Sequence, residues 1–181
     1  MLAIKVSNLT KDYSDGKNVT KVLRGIDMEI IKGEFVAIMG RSGAGKSTLL
    51  YQLGLLDKPT SGSIELMGKS VAHLDEQQKS IFRLNELGFI FQDYALLPEL
   101  TALENVALPL LMQGKSRETA FALSKETLMR VGMEGKEKTY LANFLVDNNS
   151  EFPLLVPLPT THILFSPMNQ PLTWTRTRAH K

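Results

Sequence analysis

The chain has 181 residues, 43% of them apolar and 22% charged, and a net charge of +2. That is the composition of a globular domain with a real core, and it lacks the basic surplus of a nucleic-acid binder. Without cysteine, disulfides, thiolate metal sites and cysteine nucleophiles are excluded.

The start, MLAIKVSNLTKDY, lacks the basic-then-apolar pattern of a signal peptide, and no apolar run approaches the ~18 residues of a membrane helix. The expected location is therefore cytoplasmic, with any membrane association made through a partner. Residues 3–9 (AIKVSNL) and 22–31 (VLRGIDMEII) alternate and carry β-branched residues, which predicts strands, with SDGKN as a turn between them. EFVAIMG, ending at Gly40, is a short apolar run and predicts a buried strand. Residues 46–56 suit a helix, stopped by DKPTSG. SIELMGKSV predicts a hairpin, 75–85 a polar helix, and LGFIFQ another buried strand. Thr101 and Glu104 stand in capping-box spacing and start a helix. SRETAFALSKETLMRVGM predicts an amphipathic helix closed near Gly132 and Gly135.

The texture changes at Leu145. All 13 glycines precede it, whereas Pro153, Pro157, Pro159, Pro167 and Pro171 follow it. No period usable in a parallel sheet is visible there, and the end, TWTRTRAHK, is basic.

The chemistry sits in GRSGAGKST: Gly40, Arg41, Ser42, Gly43, Ala44, Gly45, Lys46, Ser47 and Thr48. It fits G-x-x-x-x-G-K-[ST] in full, with a strand expected before it and a helix after. Gly40, Gly43 and Gly45 allow a backbone bend that a Cβ would resist. Successive N–H groups can then face a phosphate, aided by the positive end of the following helix. Lys46 is the candidate for the β- and γ-phosphates and Ser47 the candidate Mg²⁺ ligand. No N-K-x-D motif is present, which speaks against GTP.

Beyond this loop, LTKDY, LRGIDMEIIKGEFVAIMGRSGAGKSTLL, GLLDKPTSGSIELMG and LGFIFQDYALLPELTALENVALPL together resemble the ATP-binding subunits of ABC transporters, from Met1 to about Phe144. They look most like the lipoprotein-release and macrolide-export branch. The resemblance implies an α/β fold: a P-loop NTPase of ABC type with an N-terminal antiparallel β subdomain and a partial helical subdomain. It puts Tyr13 on adenine and makes Gln92, with Ser47, a ligand of Mg²⁺. The implied cofactors are ATP and Mg²⁺. The implied partners are a separate membrane permease and, in the complete family member, a second copy of the subunit. Neither nucleic acid nor direct membrane insertion is expected. The implied place is peripheral, at the inner face of the cell membrane.

Three family elements do not occur in this sequence: the L-S-G-G-Q signature loop, the apolar strand ending in Asp-Glu (Walker B), and the histidine loop. From Leu145 on, the acidic residues are Asp147 and Glu151, and neither follows an apolar strand. The expected organisation is thus an incomplete ATP-binding domain over 1–144 and an aberrant tail over 145–181. ATPase activity is accordingly left open. The expected function is the ATP-binding subunit, weak in nucleotide binding and defective in hydrolysis. The alternatives are a non-hydrolysing interaction module and a non-functional truncated product.

The tail has a simple reading in a shifted frame. The codons of Met168 and Asn169 force a straddling glutamate codon, and those of Trp174 and Thr175 force an aspartate codon. With those two residues forced and the others permitted by codon degeneracy, SPMNQPLTW can read Ala-Asp-Glu-Pro-Thr-Ala-Asn-Leu-Asp, which resembles the family's aspartate–glutamate pair and the loop after it. A base lost near Phe144 would produce this; the alternative is a divergent tail. Resequencing the gene across the codons for Phe144 and Leu145 is expected to find an extra base that restores the frame, and finding none would leave the divergent tail.

Overall fold

A computed structural model of the protein describes residues 1–89 and 96–140, together with the backbone of Ile163–Phe165. The first element is a long hairpin, β1 (Leu2–Ser14) and β2 (Val19–Ile31), paired antiparallel from Leu2 opposite Ile31 to Ser14 opposite Val19. Its turn is held by the Asp15 carboxylate, which accepts from the backbone N–H of Lys17 and of Asn18. This is the Asx-type turn that SDGKN predicts. Strand β3 (Ser61–Leu66) pairs on the other side of β1, and β4 (Lys69–Ser70) completes the predicted hairpin. The resulting four-stranded sheet runs β2-β1-β3-β4.

Helix α1 (Lys46–Leu53) packs on this sheet. Leu49 and Leu53 join Ile4, Val6, Leu9, Leu23, Ile64 and Leu66 in one core cluster. Each such side chain taken from water contributes about 1.5–3 kcal/mol. At the end of α1 a Cβ on Gly54 would stand 2.5 Å from Phe89 Cε1, so only glycine lets β5 (Leu87–Phe89) pack this close. Helix α2 (Glu76–Glu86) begins with a capping box between Asp75 and Gln78. It is fastened to the end of α1 by Arg83, which donates to the Leu55 carbonyl at 2.7 Å.

Helices α3 (Ala102–Met112) and α4 (Arg117–Arg130) form a second, smaller layer. The predicted box is present at the start of α3: Glu104 N–H donates to Thr101 Oγ1 and Thr101 N–H to Glu104 Oε2. The predicted amphipathic face of α4 is narrow, a stripe of Ala120, Ser124 and Leu128. It meets Ala102, Ala107, Val106 and Leu110 of α3. Gly132 and Gly135, both at positive φ, lie just beyond it. The Gln113 amide ties α3 to α2 by donating to the Leu84 carbonyl.

Two expectations are overturned. EFVAIMG is not a strand, and no described residue pairs with it. Phe35 is 83% and Met39 87% exposed, so the run is not buried either. An apolar run becomes a buried parallel strand only when neighbours satisfy its backbone and cover both faces. Among the described residues no strand stands beside it. Conversely, Ile163–Phe165 in the segment read as strandless pair in parallel with β5, Leu87 opposite Ile163 and Phe89 opposite Phe165. Three residues of high β-propensity are enough to extend a strand that has an open edge.

The packing beneath the loop gives a direct test. Leu53→Ala is expected to destabilise the fold by about 2–5 kcal/mol, as a lower urea midpoint, while Leu56→Ala at the half-exposed position nearby should stay within about 0.5 kcal/mol.

Candidate nucleotide site

The GRSGAGKST segment forms the turn it was expected to form, between the unpaired 34–39 run and α1. Gly43 and Gly45 have φ of +78° and +88°, the left-handed region that costs an L side chain about 1–2 kcal/mol. Gly45 is also the N-cap of α1. A Cβ there would press on Val22 Cγ1 and Leu23 Cδ2, both at 3.1 Å, so the base of the loop sits directly on β2. A Cβ on Gly43 would meet nothing within 4 Å, so that side of the loop is open. Gly40 differs from the expectation: its φ is not positive, and its glycine character serves the close approach of Ala44, 3.3 Å from where a Cβ would be.

The charges favour an anion. No side chain caps the first turn of α1, and no acidic residue stands in it. Its N–H groups and the positive helix end therefore face the loop uncompensated. Lys46 Nζ donates to the Gly40 carbonyl at 2.9 Å and the Arg41 carbonyl at 3.0 Å, lying across the loop. Among the described residues it has no carboxylate partner. Arg41, Ser42 and Ser47 are exposed, and Thr48 is half-buried at the start of α1. Open glycine backbone, a free helix end, an ammonium with no carboxylate partner among the described residues and an exposed hydroxyl are a donor set that fits polyphosphate with a divalent cation. Gln92 lies outside the described residues.

Tyr13, at the end of β1, is brought to the same place from the other direction. Its hydroxyl donates to Asp57 Oδ2 at 2.9 Å and also faces the Thr48 side chain. Lys11 Nζ stands 4.9 Å from its ring centroid. Burial, and then the Asp57 carboxylate, push the phenol pKa up. The residue is still 43% exposed.

Asp57 is the residue that sequence reading missed. DKPTSG was read as a helix stop, and nothing local marks its carboxylate as a junction. Oδ1 accepts from Lys11 Nζ at 2.8 Å and from Lys58 N–H at 2.7 Å. Oδ2 accepts from Tyr13 and from Gln52 Nε2 at 3.0 Å. Gln52 is fully buried, and its Oε1 has no hydrogen-bond partner among the described residues. Burial raises the Asp57 pKa, but the bonds from Lys11, Tyr13 and Lys58 outweigh it and hold the carboxyl below its usual range.

The fold and loop define a class, the P-loop nucleotide-binding proteins of ABC type. The family model described as ABC transporter matches residues 23–149. The chain belongs to the ABC transporter family. It is 46% identical over 138 residues to the macrolide export ATP-binding/permease protein MacB of Mannheimia succiniciproducens, covering 76% of this chain and 22% of that protein. It is 45% identical over 130 residues to the lipoprotein-releasing system ATP-binding protein LolD of Shewanella frigidimarina, covering 72% and 54%. The LolD of Geobacter metallireducens is 46% identical over 130 residues, covering 72% and 58%. Among solved structures, the dimeric post-hydrolysis state of the ATP-binding cassette MJ0796 bound to ADP and Pi superposes with a TM-score of 0.70 at 38% identity, over 77% of this chain and 62% of that one. The chain thus spans little more than half of the LolD relatives and about a fifth of MacB.

Acid should expose the Asp57 junction. The folded carboxyl binds protons less readily than the unfolded one, so its stabilisation is complete above the usual carboxyl pKa of ~4 and fades as pH falls below it. Urea midpoints of wild type and Asp57→Asn are expected to differ at pH 7 and to converge towards pH 3.

Proposed function

We propose that residues 1–144 are the ATP-binding unit of an ABC transporter subunit, built to energise transport through a separate membrane permease. Supporting this is one observation above the rest: an open loop with left-handed Gly43 and Gly45, crossed by an ammonium, Lys46, with no carboxylate partner among the described residues. The backbone of Gly40–Thr48 would hold the phosphates, with Lys46 on the γ-phosphate. Ser47, and Gln92 by resemblance, would ligate Mg²⁺, which supplies charge neutralisation between the phosphates when bound. Tyr13 would stack on adenine. The family relationship supports a permease partner at the inner face of the cell membrane, and the MJ0796 dimer supports pairing of complete cassettes. No helix among the described residues is long and apolar enough to cross a membrane.

Hydrolysis is the weak point of this chain. Its sequence offers no signature loop and no glutamate at the end of an apolar strand to polarise water. The segment 145–181 is the frame-shifted remainder of the domain. A second reading, a product that does not hold a working cassette, is favoured by the exposed Phe35, Val36 and Met39, and resistance of the intact chain to limited proteolysis would count against it.

Titration with a fluorescent ATP analogue is expected to show binding that Lys46→Ala weakens at least about tenfold, the loss of ~1.4 kcal/mol or more from a charge-assisted phosphate contact. Multiple-turnover phosphate release by the pure chain, lost in Lys46→Ala, would overturn the hydrolytic defect.

A further inference from the structure

We propose that Asp57 is the positioning residue for the nucleotide base: it fixes the Tyr13 ring so that one face is presented to a purine beside the phosphate loop. The proposal rests on the reading of Tyr13 as the adenine contact and adds what holds that contact in place.

The chemistry begins with an exposed tyrosine. A half-exposed ring near the end of a strand ordinarily samples several rotamers, and a flat ligand must then offset that freedom. Here the hydroxyl is anchored at 2.9 Å on a carboxylate. That carboxylate cannot drift, because its other donors come from three separate places. Gln52 is fixed by its complete burial in α1. Lys58 N–H belongs to the connection that follows α1. Lys11 Nζ comes from β1 and is itself braced on the Lys58 carbonyl at 2.6 Å. A phenol donating to an ionised acceptor makes one of the stronger hydrogen bonds available to it. Asp57 therefore transmits the rigidity of the α1–sheet core to the ring.

The same cluster sets which face is available. Lys11 Nζ stands 4.9 Å over the ring centroid, a cation–π distance. With that face taken by the ammonium, the opposite face is left for a base. Thr48, the last residue of the phosphate-loop motif, faces the same hydroxyl. The base contact thus stands beside the phosphate loop, held there by the Tyr13–Asp57 bond. The ligand class that reads this arrangement is a purine nucleoside triphosphate, as distinct from a bare polyphosphate.

The test separates base from phosphate. ATP and inorganic tripolyphosphate are titrated calorimetrically into the full-length chain and into Asp57→Asn, Tyr13→Phe, the double variant and Tyr13→Ala. Asp57→Asn and Tyr13→Phe are each expected to weaken ATP about fivefold while tripolyphosphate changes less than about twofold. The double variant should lose no more than either single one, because both break the same bond. Equal losses for ATP and tripolyphosphate, or additive losses in the double variant, would reduce Asp57 to a brace of the loop and overturn the proposal. Wild-type ATP affinity in Tyr13→Phe overturns it as well, whatever happens to the folding of Asp57→Asn. If Tyr13→Ala lowers the ATP-to-tripolyphosphate ratio and Asp57→Asn does not, Tyr13 keeps its role and Asp57 loses its own. If Tyr13→Ala leaves the ratio unchanged, the adenine contact itself is lost and the proposal with it.

Discussion

Packing of α1 against the antiparallel sheet is the contact on which the site depends. Leu49 and Leu53 are buried among residues of β1, β2 and β3. Gly45 rests on Val22 and Leu23 so closely that a Cβ, 3.1 Å from each, would have to push them aside. The phosphate loop is therefore held from its helical end. On its other side the 34–39 run pairs with no described residue. A helix of this length is marginal alone in water, and tertiary burial of one face is what keeps it formed.

Asp57 extends that support sideways. It sits just past α1 and receives hydrogen bonds from β1, from α1 and from its own connection. A half-buried carboxylate without such donors would be costly; with them it draws separate elements to one point. Gln52 shows the other side of the same chemistry. Its amide nitrogen serves Asp57, while its carbonyl oxygen is buried without a partner among the described residues. Orienting the nitrogen towards the carboxylate has a cost, and the strength of a charge-assisted bond offsets it.

The exposed run Phe35–Met39 and the β5–Ile163 pairing are two results of one constraint. A parallel strand needs a neighbour to satisfy its backbone and cover for its faces. β5 finds a three-residue neighbour and becomes a strand. EFVAIMG, apolar and longer, finds none among the described residues; it leaves Phe35, Val36 and Met39 exposed, and Ile38 alone packs partly on the core. Hydrophobicity alone does not decide between these outcomes; access to a partner does.

What the sequence determined by itself are the features whose causes are local. Thr101 and Glu104 cap their helix because the partners are three residues apart, and the SDGKN turn closes on the Asp15 carboxylate for the same reason. The phosphate loop is legible because Gly43 and Gly45 meet a backbone requirement at their own positions, and Lys46 follows at fixed spacing. Tertiary structure decided what depends on residues far apart in the chain. Asp57 meets Tyr13 across 44 positions and Lys11 across 46, so its role has no local trace. Whether an apolar run becomes a strand is likewise set by a neighbour, because every ladder hydrogen bond of a strand needs its other group from another segment.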